Sequence, residues 1–244
     1  MRVMKCADLA SAHEAAVLRL LDLDRIRVIG TQDDELTFEG DGICLEVPNP
    51  AVGNVRSSIA PQGDRFYEEY ARCLILGYKV GQGFDYDYHS RLFEYDVLVP
   101  NGYAGGGNCT AVNQIGQMIE KLKNHGTSRR AVAVTWKPGE DGVTDADVPC
   151  LQLVECMIRD GKLEMSVVFR SNDMLSALGS NMYALASLQA QMAMALKVGV
   201  GKYQHVSISD HMYPIRDMNY LLPFMEKKGV TEEQVRHRAA QRDA

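Results

Sequence analysis

The chain has 244 residues, 46% of them hydrophobic and 24% charged, which is a composition typical of a soluble protein with a sizeable core. Its formal net charge of −6 argues against a general nucleic-acid-binding protein, because such proteins are usually basic. No apolar run approaches the length of about 18 residues that a transmembrane helix needs, and the N-terminus lacks the apolar segment of a signal peptide.

The cysteines show no CxxC pair and no spacing to histidines that is typical of zinc. There are six of them, Cys6, Cys44, Cys73, Cys109, Cys150 and Cys156. In a chain without a signal peptide they are best interpreted as reduced thiols. We therefore expect a cytoplasmic protein without a bound metal or a membrane partner.

Three helices and one strand are predicted in the first half of the chain. Apolar residues at helical spacing indicate a helix over residues 7–22, and residues 35–50 alternate as a strand that turns at 40–42. Helices over residues 65–77 and 111–126 each end at a glycine. The glycine-rich residues 101–109 between them are predicted to be a loop.

The second half alternates strands with helices. Residues 129–136, 151–160 and 162–170 read as strands, and a tight turn at 160–161 joins the last two. A long apolar helix over 181–198 and a strand over 202–213 follow. A Thr-x-x-Gln pattern opens a polar C-terminal helix within 229–244. Because no repeat or linker interrupts the chain, we predict a single domain, residues 1–244.

Cys150 is a candidate nucleophile. It follows Pro149 where a loop enters a strand, a position that can expose a side chain. A catalytic thiol needs nearby positive charge to lower its pKa, and Arg170 at the end of a strand could provide it. The alternative is a buried structural cysteine.

Two other groups suit a phosphorylated sugar. Arg170 and Ser171 combine a planar guanidinium with a hydroxyl, a set that suits phosphate, although a surface ion pair with Asp173 is the alternative. His211 and Tyr213 share a face of the predicted strand and could bind a sugar hydroxyl, although a core histidine is the alternative.

These residues lie in motifs that resemble the thymidylate synthase family, which includes the pyrimidine-nucleotide hydroxymethylases. The resemblance extends from residue 113 to residue 213 and is closest to the shorter archaeal-type members. The motifs, in chain order, are NQI at 113–115, SRR and TW within 128–136, Cys150 after Pro149, RSND at 170–173, Asn181, and His211 with Tyr213.

The resemblance implies an α/β (α+β) architecture with the thymidylate synthase fold. In it a mixed β-sheet is backed by helices, and the sheets of two subunits pack face to face in a homodimer. The implied reaction is C5-methylation of dUMP to dTMP. Its carbon donor would be 5,10-methylenetetrahydrofolate or methylene-tetrahydromethanopterin, without a metal. Cys150 would add covalently to C6 of the pyrimidine, which divides a difficult substitution into easier steps.

The family's phosphate site is implied to be shared between two subunits. Arg170 and Ser171 would bind the 5′-phosphate of the nucleotide. Arg129 and Arg130 would join them from the partner subunit. Taken alone, this arginine pair could equally be solvated surface charge.

The remaining nucleotide contacts are also implied by the resemblance. His211 and Tyr213 would hold the ribose 3′-hydroxyl, and Asp173 would belong to the hydrogen-bond network near the pterin and the base. Asn181 would pair with O4 and N3–H of uracil, since a carboxamide offers both a donor and an acceptor. The dCMP hydroxymethylases have Asp at this position, so Asn181 favours dUMP.

The general-acid/base glutamate of the family should lie in the helix over residues 65–77, where Glu68 and Glu69 compete. Glu68 precedes Arg72 by one helical turn, a spacing typical of an exposed ion pair. Glu69 lies on a stripe with Phe66 and Leu76 that we expect to face the core. Glu69 is therefore the predicted catalytic carboxylate.

A tyrosine usually lines the nucleotide site after this helix. Tyr86 stands five residues before Arg91, which matches the tyrosine-to-arginine spacing of the family, so we predict Tyr86 rather than Tyr88. The N-terminal phosphate arginine of the family has no clear equivalent, and Arg27 is the one candidate considered.

Three departures from the family pattern affect the pterin side of the site. Leu151 replaces the usual histidine after the nucleophile, Trp136 is the only tryptophan, and a polar helix replaces the apolar C-terminal tail. C5-hydroxymethylation of dUMP, dCMP or CMP is therefore the alternative activity. A non-catalytic nucleotide- or RNA-binding relative is a third hypothesis, which the presence of Cys150 and the arginines disfavours.

Overall fold

The computed structural model describes residues 1–32, 34–78, 87–100 and 107–243, without the side chains of 98–100 and 107–109. The strands are β1 (Arg2–Lys5), β2 (Arg27–Gly30), β3 (Leu36–Glu39), β4 (Ile43–Val47), β5 (Tyr95–Pro100), β6 (Gly107–Val112), β7 (Ala131–Val134), β8 (Leu151–Arg159), β9 (Lys162–Asp173) and β10 (Gly199–Met212). The α-helices are α1 (Leu9–Leu20), α2 (Asp64–Leu76), α3 (Tyr88–Phe93), α4 (Gln114–Asn124), α5 (Leu178–Leu196), α6 (Met218–Lys228) and α7 (Glu232–Ala239).

A mixed sheet forms the centre of the described structure. Its strand order is β1-β4-β10-β9-β8-β7, and β3 also pairs with β10 while β2 pairs with β3. β9 and β10 are parallel, whereas β8 is antiparallel to β9. The beginning of β8 therefore meets the ends of β9 and β10 at the same edge of the sheet. This mixed sheet with helices confirms the predicted fold class.

Alternation along the strands separates the two faces of the sheet. In β9, Leu163, Met165, Val167 and Phe169 are all at most 1% exposed, while the residues between them are half-buried. Helices α1, α4 and α5 pack against the strands, and α5 is buried along most of its length. Each fully buried Val, Leu, Ile, Phe or Met side chain of this core contributes about 1.5–3 kcal/mol of burial free energy.

Local signals set two helix ends as the sequence predicted, whereas α4 ends at Asn124 rather than at Gly126. Thr231 and Gln234 form a reciprocal capping box at the start of α7. α2 ends at Gly77, which has a φ of 68° in the left-handed region that glycine adopts without strain. Within the described ranges, no helix is long and apolar enough to cross a bilayer.

Several short elements were missed by the sequence analysis. β6 occupies residues 107–112, where the sequence predicted loop and then helix, and α4 begins later, after the cap at Asn113. α6 contains Pro223, which reads as a helix breaker because proline lacks an N–H donor. β1, β2, β5 and α3 have only four to six residues, too few for a clear periodicity.

Candidate active site

The candidate residues from distant parts of the sequence meet at one edge of the sheet. The Arg170 backbone N–H donates to the Cys150 carbonyl at 2.9 Å, which joins the entrance of β8 to the end of β9. In the parallel register of β9 and β10, His211 lies opposite Asp173. The topology therefore brings Cys150, residues 170–173 and residues 211–213 to the same edge.

Cys150 occupies the position immediately before β8. It is half-buried and carries a thiol that is not in a disulfide. The pairing register of β8 shifts between Leu151 and Leu153, an irregularity of the kind that redirects side chains near functional sites. The Leu151 amide N–H donates to the hydroxyl of Tyr88 at 3.1 Å. This bond fixes the backbone one residue beyond the sulfur.

Arg170 holds the segment that leads to the thiol. Its Nε donates to the Pro149 carbonyl at 3.1 Å, and its Nη2 donates to the Val148 carbonyl at 2.9 Å. The Arg170 residue is otherwise exposed. It therefore positions the segment that leads to Cys150 and places a positive charge beside that segment.

A buried ion pair fixes the loop between β7 and β8. Arg91 donates to both oxygens of Asp141 at 2.9 and 2.7 Å and also to the Thr135 carbonyl at 3.1 Å. The Lys137 backbone N–H donates to the same carboxylate at 2.7 Å. A buried charge pair is stable when hydrogen bonds satisfy its polar atoms, as they do here. The Arg91–Asp141 pair therefore anchors this loop. The anchor also holds α3, which carries Tyr88.

The proposed ribose contacts form one cluster with Ser171. The Ser171 hydroxyl lies 3.3 Å from Nδ1 of His211, and the rings of His211 and Tyr213 meet edge to face with centroids 5.4 Å apart. Burial lowers the pKa of His211 and raises the pKa of Tyr213. At neutral pH the pair therefore offers a neutral imidazole and a protonated phenol, both of which can hydrogen-bond a hydroxyl.

The carboxylate of Asp173 is engaged at all of its acceptor positions. Oδ1 accepts from the backbone N–H groups of Leu175 and Ser176 at 3.0 and 3.1 Å, and Oδ2 accepts from the Ser176 hydroxyl and from Nη2 of Arg216 at 3.2 Å. The guanidinium carbon of Arg216 lies 3.7 Å from the centre of the Tyr213 ring. Arg216, which the sequence analysis did not single out, thus connects Asp173 with Tyr213.

Asn181 is buried with both ends of its amide engaged. The Tyr70 hydroxyl donates to its Oδ1 at 2.6 Å, and its Nδ2 donates to Oδ1 of Asn172 at 3.3 Å. The close packing of α2 on α5 makes this contact possible. Gly179 permits that packing, because a Cβ there would collide with the Tyr67 hydroxyl. The sequence analysis named neither Tyr70 nor Asn172, although Asn172 lies inside the RSND motif.

His205 lies beneath this cluster in the core. It is 0% exposed, stacks on Phe169 at a centroid distance of 4.6 Å, and contacts Asn172 and Tyr203, all uncharged neighbours. Burial lowers the pKa of His205 to about 3. The imidazole is therefore neutral in the folded protein at physiological pH. His205 lies on the buried face of β10 with other core residues. Nothing in the sequence pattern distinguished it from them.

The buried histidine predicts a pH dependence of stability. The unfolded chain protonates His205 below a pH of about 6.5, whereas the folded state does not until the pH approaches about 3. Because the unfolded state binds more protons in this window, the free energy of unfolding should fall as the pH decreases. The contribution is up to about 1.4 kcal/mol per pH unit.

Urea unfolding of the wild type and of His205→Gln at pH 7 and pH 5 measures this contribution. The variant should lose less stability between the two pH values than the wild type does. Equal losses in the two proteins would show that His205 titrates normally in the folded state.

The expected orientation of Glu69 is wrong. The stripe that carries it does not face the core, since Phe66 is 40% and Leu76 is 55% exposed, and α2 buries Tyr67 and Leu74 instead. Glu69 itself accepts from Nε of Arg65 at 2.8 Å in an exposed i,i+4 pair. Phe66 and Leu76 are apolar but stand at the solvent edge of the helix, which a pattern of apolar residues cannot reveal.

The other predicted residues have simpler outcomes. Arg129 and Arg130 are both exposed just before β7, which begins two residues later than predicted. Tyr86 lies outside the described residues. Tyr88, which the sequence analysis set aside, reaches the backbone next to Cys150. In the described part of the chain, no group of three or more His, Cys, Asp or Glu side chains is placed to hold a metal ion.

Comparison with known proteins decides the family. The family model for thymidylate synthase matches residues 69–240. A protein of Methanocaldococcus jannaschii, named "Putative thymidylate synthase", is 40% identical over 225 residues, which cover 91% of this chain and 95% of the relative. This chain belongs to the thymidylate synthase family. The resemblance inferred from the motifs is thereby confirmed.

Two further relatives have names that refer to different activities. A Methanosarcina mazei protein with the same name is 36% identical over 187 residues, 77% of this chain and 79% of the relative. A Bacillus phage SP01 protein named "Deoxyuridylate hydroxymethyltransferase" is 35% identical over 105 residues, 42% of this chain and 27% of the relative. Members of the family transfer a one-carbon unit to a small nucleotide, normally from a folate-type donor, so this chain is a one-carbon transferase.

Proposed function

We propose that this protein methylates dUMP at C5 to give dTMP through covalent addition of Cys150 to C6 of the pyrimidine. The observation that carries the proposal is the convergence of Cys150, Arg170 and the pair His211–Tyr213 at one edge of the sheet, in a chain of the thymidylate synthase family. A thiol, a cationic group and sugar-binding side chains are the set that such a reaction requires.

The chemical steps assign a role to each of these groups. The Cys150 sulfur would bond to C6, and the C5–C6 electron pair would move toward O4, which makes C5 nucleophilic. Nδ2 of Asn181 has a second hydrogen that could stabilise the charge developing on O4. After the one-carbon unit has joined C5, loss of the C5 proton to a base would break the bond from that unit to the pterin nitrogen and leave an exocyclic methylene on C5. Addition of hydride to this methylene would form the methyl group, expel the thiolate and restore the C5–C6 double bond.

A methylene-tetrahydropterin, either the folate or the methanopterin form, would supply the one-carbon unit and the hydride that reduces it to methyl. Asp173 would hold its ring, because a carboxylate accepts from ring N–H groups. The chemistry of Asp173 fits such a ligand. Oδ2 of Asp173 is shared with the half-exposed Arg216 at 3.2 Å, a contact that a ring N–H could replace.

C5-hydroxymethylation of dUMP is the second candidate function, and two observations favour it. Leu151, directly after the nucleophile, is apolar and 0% exposed where the family usually has a histidine. The phage relative is named a hydroxymethyltransferase of deoxyuridylate. Addition of water to the activated carbon, in place of hydride, would give this product.

A homodimer with shared sites belongs to the same proposal. The face of the sheet opposite the helices carries half-exposed apolar residues, including Val132, Val134, Leu153, Val168 and Ile208. An apolar sheet face of this kind suits a partner sheet. By strand alternation Arg170 shares the face of Val168, so the exposed Arg129 and Arg130 of a partner could reach the phosphate beside it.

Location and domain content complete the proposal. The described cysteine side chains of Cys6, Cys44, Cys73, Cys150 and Cys156 are all thiols, which supports the expected cytoplasmic site of action. We propose that residues 1–244 act as one catalytic domain.

Glu69 is retained as the proposed general acid/base, because the resemblance places that carboxylate on α2 and Glu69 is less exposed than Glu68. Glu69→Gln should lower kcat by about a hundredfold or more with little change in KM, since the amide cannot exchange a proton. Glu68→Gln is the matched control on the same helix and should stay near the wild-type rate. Steady-state kinetics with dUMP measures both variants. A full kcat in Glu69→Gln would remove Glu69 from the mechanism.

Product analysis tests the proposed reaction itself. The purified protein is incubated with dUMP and methylenetetrahydrofolate, and the products are separated and weighed by mass spectrometry. Formation of dTMP with dihydrofolate would support the proposal, and a hydroxymethyl nucleotide with tetrahydrofolate would support the second candidate. Failure to convert dUMP, dCMP or CMP with either the folate or the methanopterin donor would overturn both.

A further inference from the structure

The amide of Asn181 has a defined donor–acceptor order. Its Oδ1 accepts from the Tyr70 hydroxyl at 2.6 Å, and its Nδ2 donates to the Asn172 side chain at 3.3 Å. Asn181 and Asn172 are 6% and 3% exposed. An isolated carboxamide can flip by half a turn with almost no change in shape. The flip exchanges its donor and its acceptor. Here both ends have partners that must be satisfied.

The hydrogen bonds continue through the core in a single direction. Nδ2 of Asn172 lies 2.8 Å from Nε2 of His205, and Nδ1 of His205 lies 2.9 Å from the hydroxyl of Tyr203. A neutral imidazole has one donor nitrogen and one acceptor nitrogen. Since Nε2 accepts from Asn172, Nδ1 carries the proton and donates to Tyr203. Every donor in the chain from Tyr70 to Tyr203 therefore points the same way.

This chain opposes rotation of Asn181 alone. If only Asn181 turned, its carbonyl oxygen would face the carbonyl oxygen of Asn172, and two buried acceptors would lie without a proton between them. To separate these two acceptors, the Asn172 amide would have to turn as well. The His205 proton would then have to move from Nδ1 to Nε2. Buried polar groups that lack a partner are costly, so the members of the chain can change only together.

The orientation of the Asn181 amide matters for base recognition, because uracil and cytosine have exchanged hydrogen-bond donors and acceptors at position 4 and N3. Uracil presents the acceptor O4 beside the donor N3–H, whereas cytosine presents an amino donor beside the acceptor N3. Oδ1 of Asn181 keeps a second lone pair and Nδ2 keeps a second hydrogen for a ligand. An amide held in one orientation pairs donor with acceptor for one of these bases. With the other base, the same amide would place donor against donor and acceptor against acceptor.

We propose that Asn172, held by His205, fixes the orientation of the Asn181 amide and so makes the site selective for uracil over cytosine nucleotides. The inference rests on the proposed function, because it concerns the pyrimidine bound at that site. Asn172 is a positioning residue that acts through Asn181. Tyr70 completes the chain at the other end, where its hydroxyl can serve either orientation as donor or acceptor.

Two substitutions of similar shape separate this role from a structural one. The Asn172→Asp variant keeps an oxygen that accepts from Nδ2 of Asn181, so the amide keeps its order. The Asn172→Leu variant removes that acceptor and lets the amide turn. Tyr183→Phe, on the same helix as Asn181, is the control. A residue with a purely structural role would alter the affinities for dUMP and dCMP by the same factor.

The experiment measures the dissociation constants of dUMP and dCMP by calorimetry without a carbon donor. The dissociation constant of dCMP divided by that of dUMP measures the selectivity for uracil. This ratio should fall about tenfold in Asn172→Leu and stay within about threefold of wild type in Asn172→Asp and in the control. A wild-type ratio retained in Asn172→Leu would overturn the inference alone. A wild type that binds neither nucleotide would overturn the proposed function and the inference with it.

A measurement on the wild type gives a second test that does not depend on the folding of a variant. Nitrogen NMR distinguishes the two neutral tautomers of a histidine. The Nδ1–H tautomer of His205 is expected, because Nε2 accepts from Asn172. The Nε2–H tautomer would mean that the chain runs the other way, and it would overturn the orientation argued for Asn181.

Discussion

Replacing Cys150 with serine is expected to lower kcat by at least about a thousandfold while leaving the dissociation constant of dUMP within about threefold. A thiolate is the attacking species in the proposed step, and a serine hydroxyl ionises far too weakly at neutral pH to replace it. Serine also has nearly the shape of cysteine, so the fold around the half-buried Cys150 should be preserved. Product formation and dUMP binding measure the two effects separately.

Cys6→Ser is the matched control for this substitution. Cys6 is also half-buried, but it follows β1 and has its thiol near the Met4 carbonyl, away from the strand ends that carry the site. The control should retain the wild-type rate. A Cys150→Ser protein with a rate within tenfold of wild type would exclude covalent catalysis by Cys150.

Replacing Arg170 with alanine is expected to raise KM for dUMP about a hundredfold and to lower kcat as well. The first effect follows from loss of a guanidinium that would pair with the 5′-phosphate. The second follows because Arg170 also binds the Pro149 and Val148 carbonyls and so holds the segment before Cys150. Arg170→Lys should recover part of the charge effect but not the two-point support of the loop.

Comparison of dUMP with deoxyuridine assigns the effect to the phosphate. The wild type should prefer dUMP strongly, and Arg170→Ala should lose most of that preference because deoxyuridine lacks the phosphate. Arg159→Ala is the control, since Arg159 also bonds a backbone carbonyl, that of Ile158 at 2.7 Å, but lies at the far end of β8. A preference for dUMP that survives in Arg170→Ala would place the phosphate elsewhere.

The parts of the site that could be predicted from the sequence are those in which residue type and order along the chain carry the information. Cys150 after Pro149, the RSND motif and the pair His211–Tyr213 keep their order in the family. The alternating residues of β8, β9 and β10 show which strands carry them. The mixed sheet follows from these strands and the long apolar helix, because a sheet must bury its apolar face against helices.

Side-chain partners across the fold could not be predicted in the same way. Tyr70 lies beside Glu69 in the sequence, yet Tyr70 turns toward Asn181 while Glu69 pairs with Arg65 at the surface. Which side of an amphipathic helix faces a site depends on how that helix crosses its neighbour, and here Gly179 lets α2 approach α5 closely. Periodicity contains no information about that contact.

The relation of Asn172 to His205 was hidden for a related reason. The two residues are far apart in sequence and meet only because β9 and β10 lie side by side in parallel register. A parallel pair has no connecting turn to reveal its alignment, unlike the hairpin between β8 and β9 at Asp160 and Gly161. The hairpin was predicted from its turn residues, whereas the parallel pairing was not.

Trapping of the covalent complex tests the central claim most directly. The protein is incubated with 5-fluoro-dUMP and methylenetetrahydrofolate, and its mass and labelled peptide are determined. Because fluorine replaces the C5 hydrogen that must leave as a proton, the nucleotide should remain bonded to the sulfur. The account predicts a stoichiometric mass increase located at Cys150 and absent in Cys150→Ser. An unlabelled protein, or a label on another residue, would contradict it.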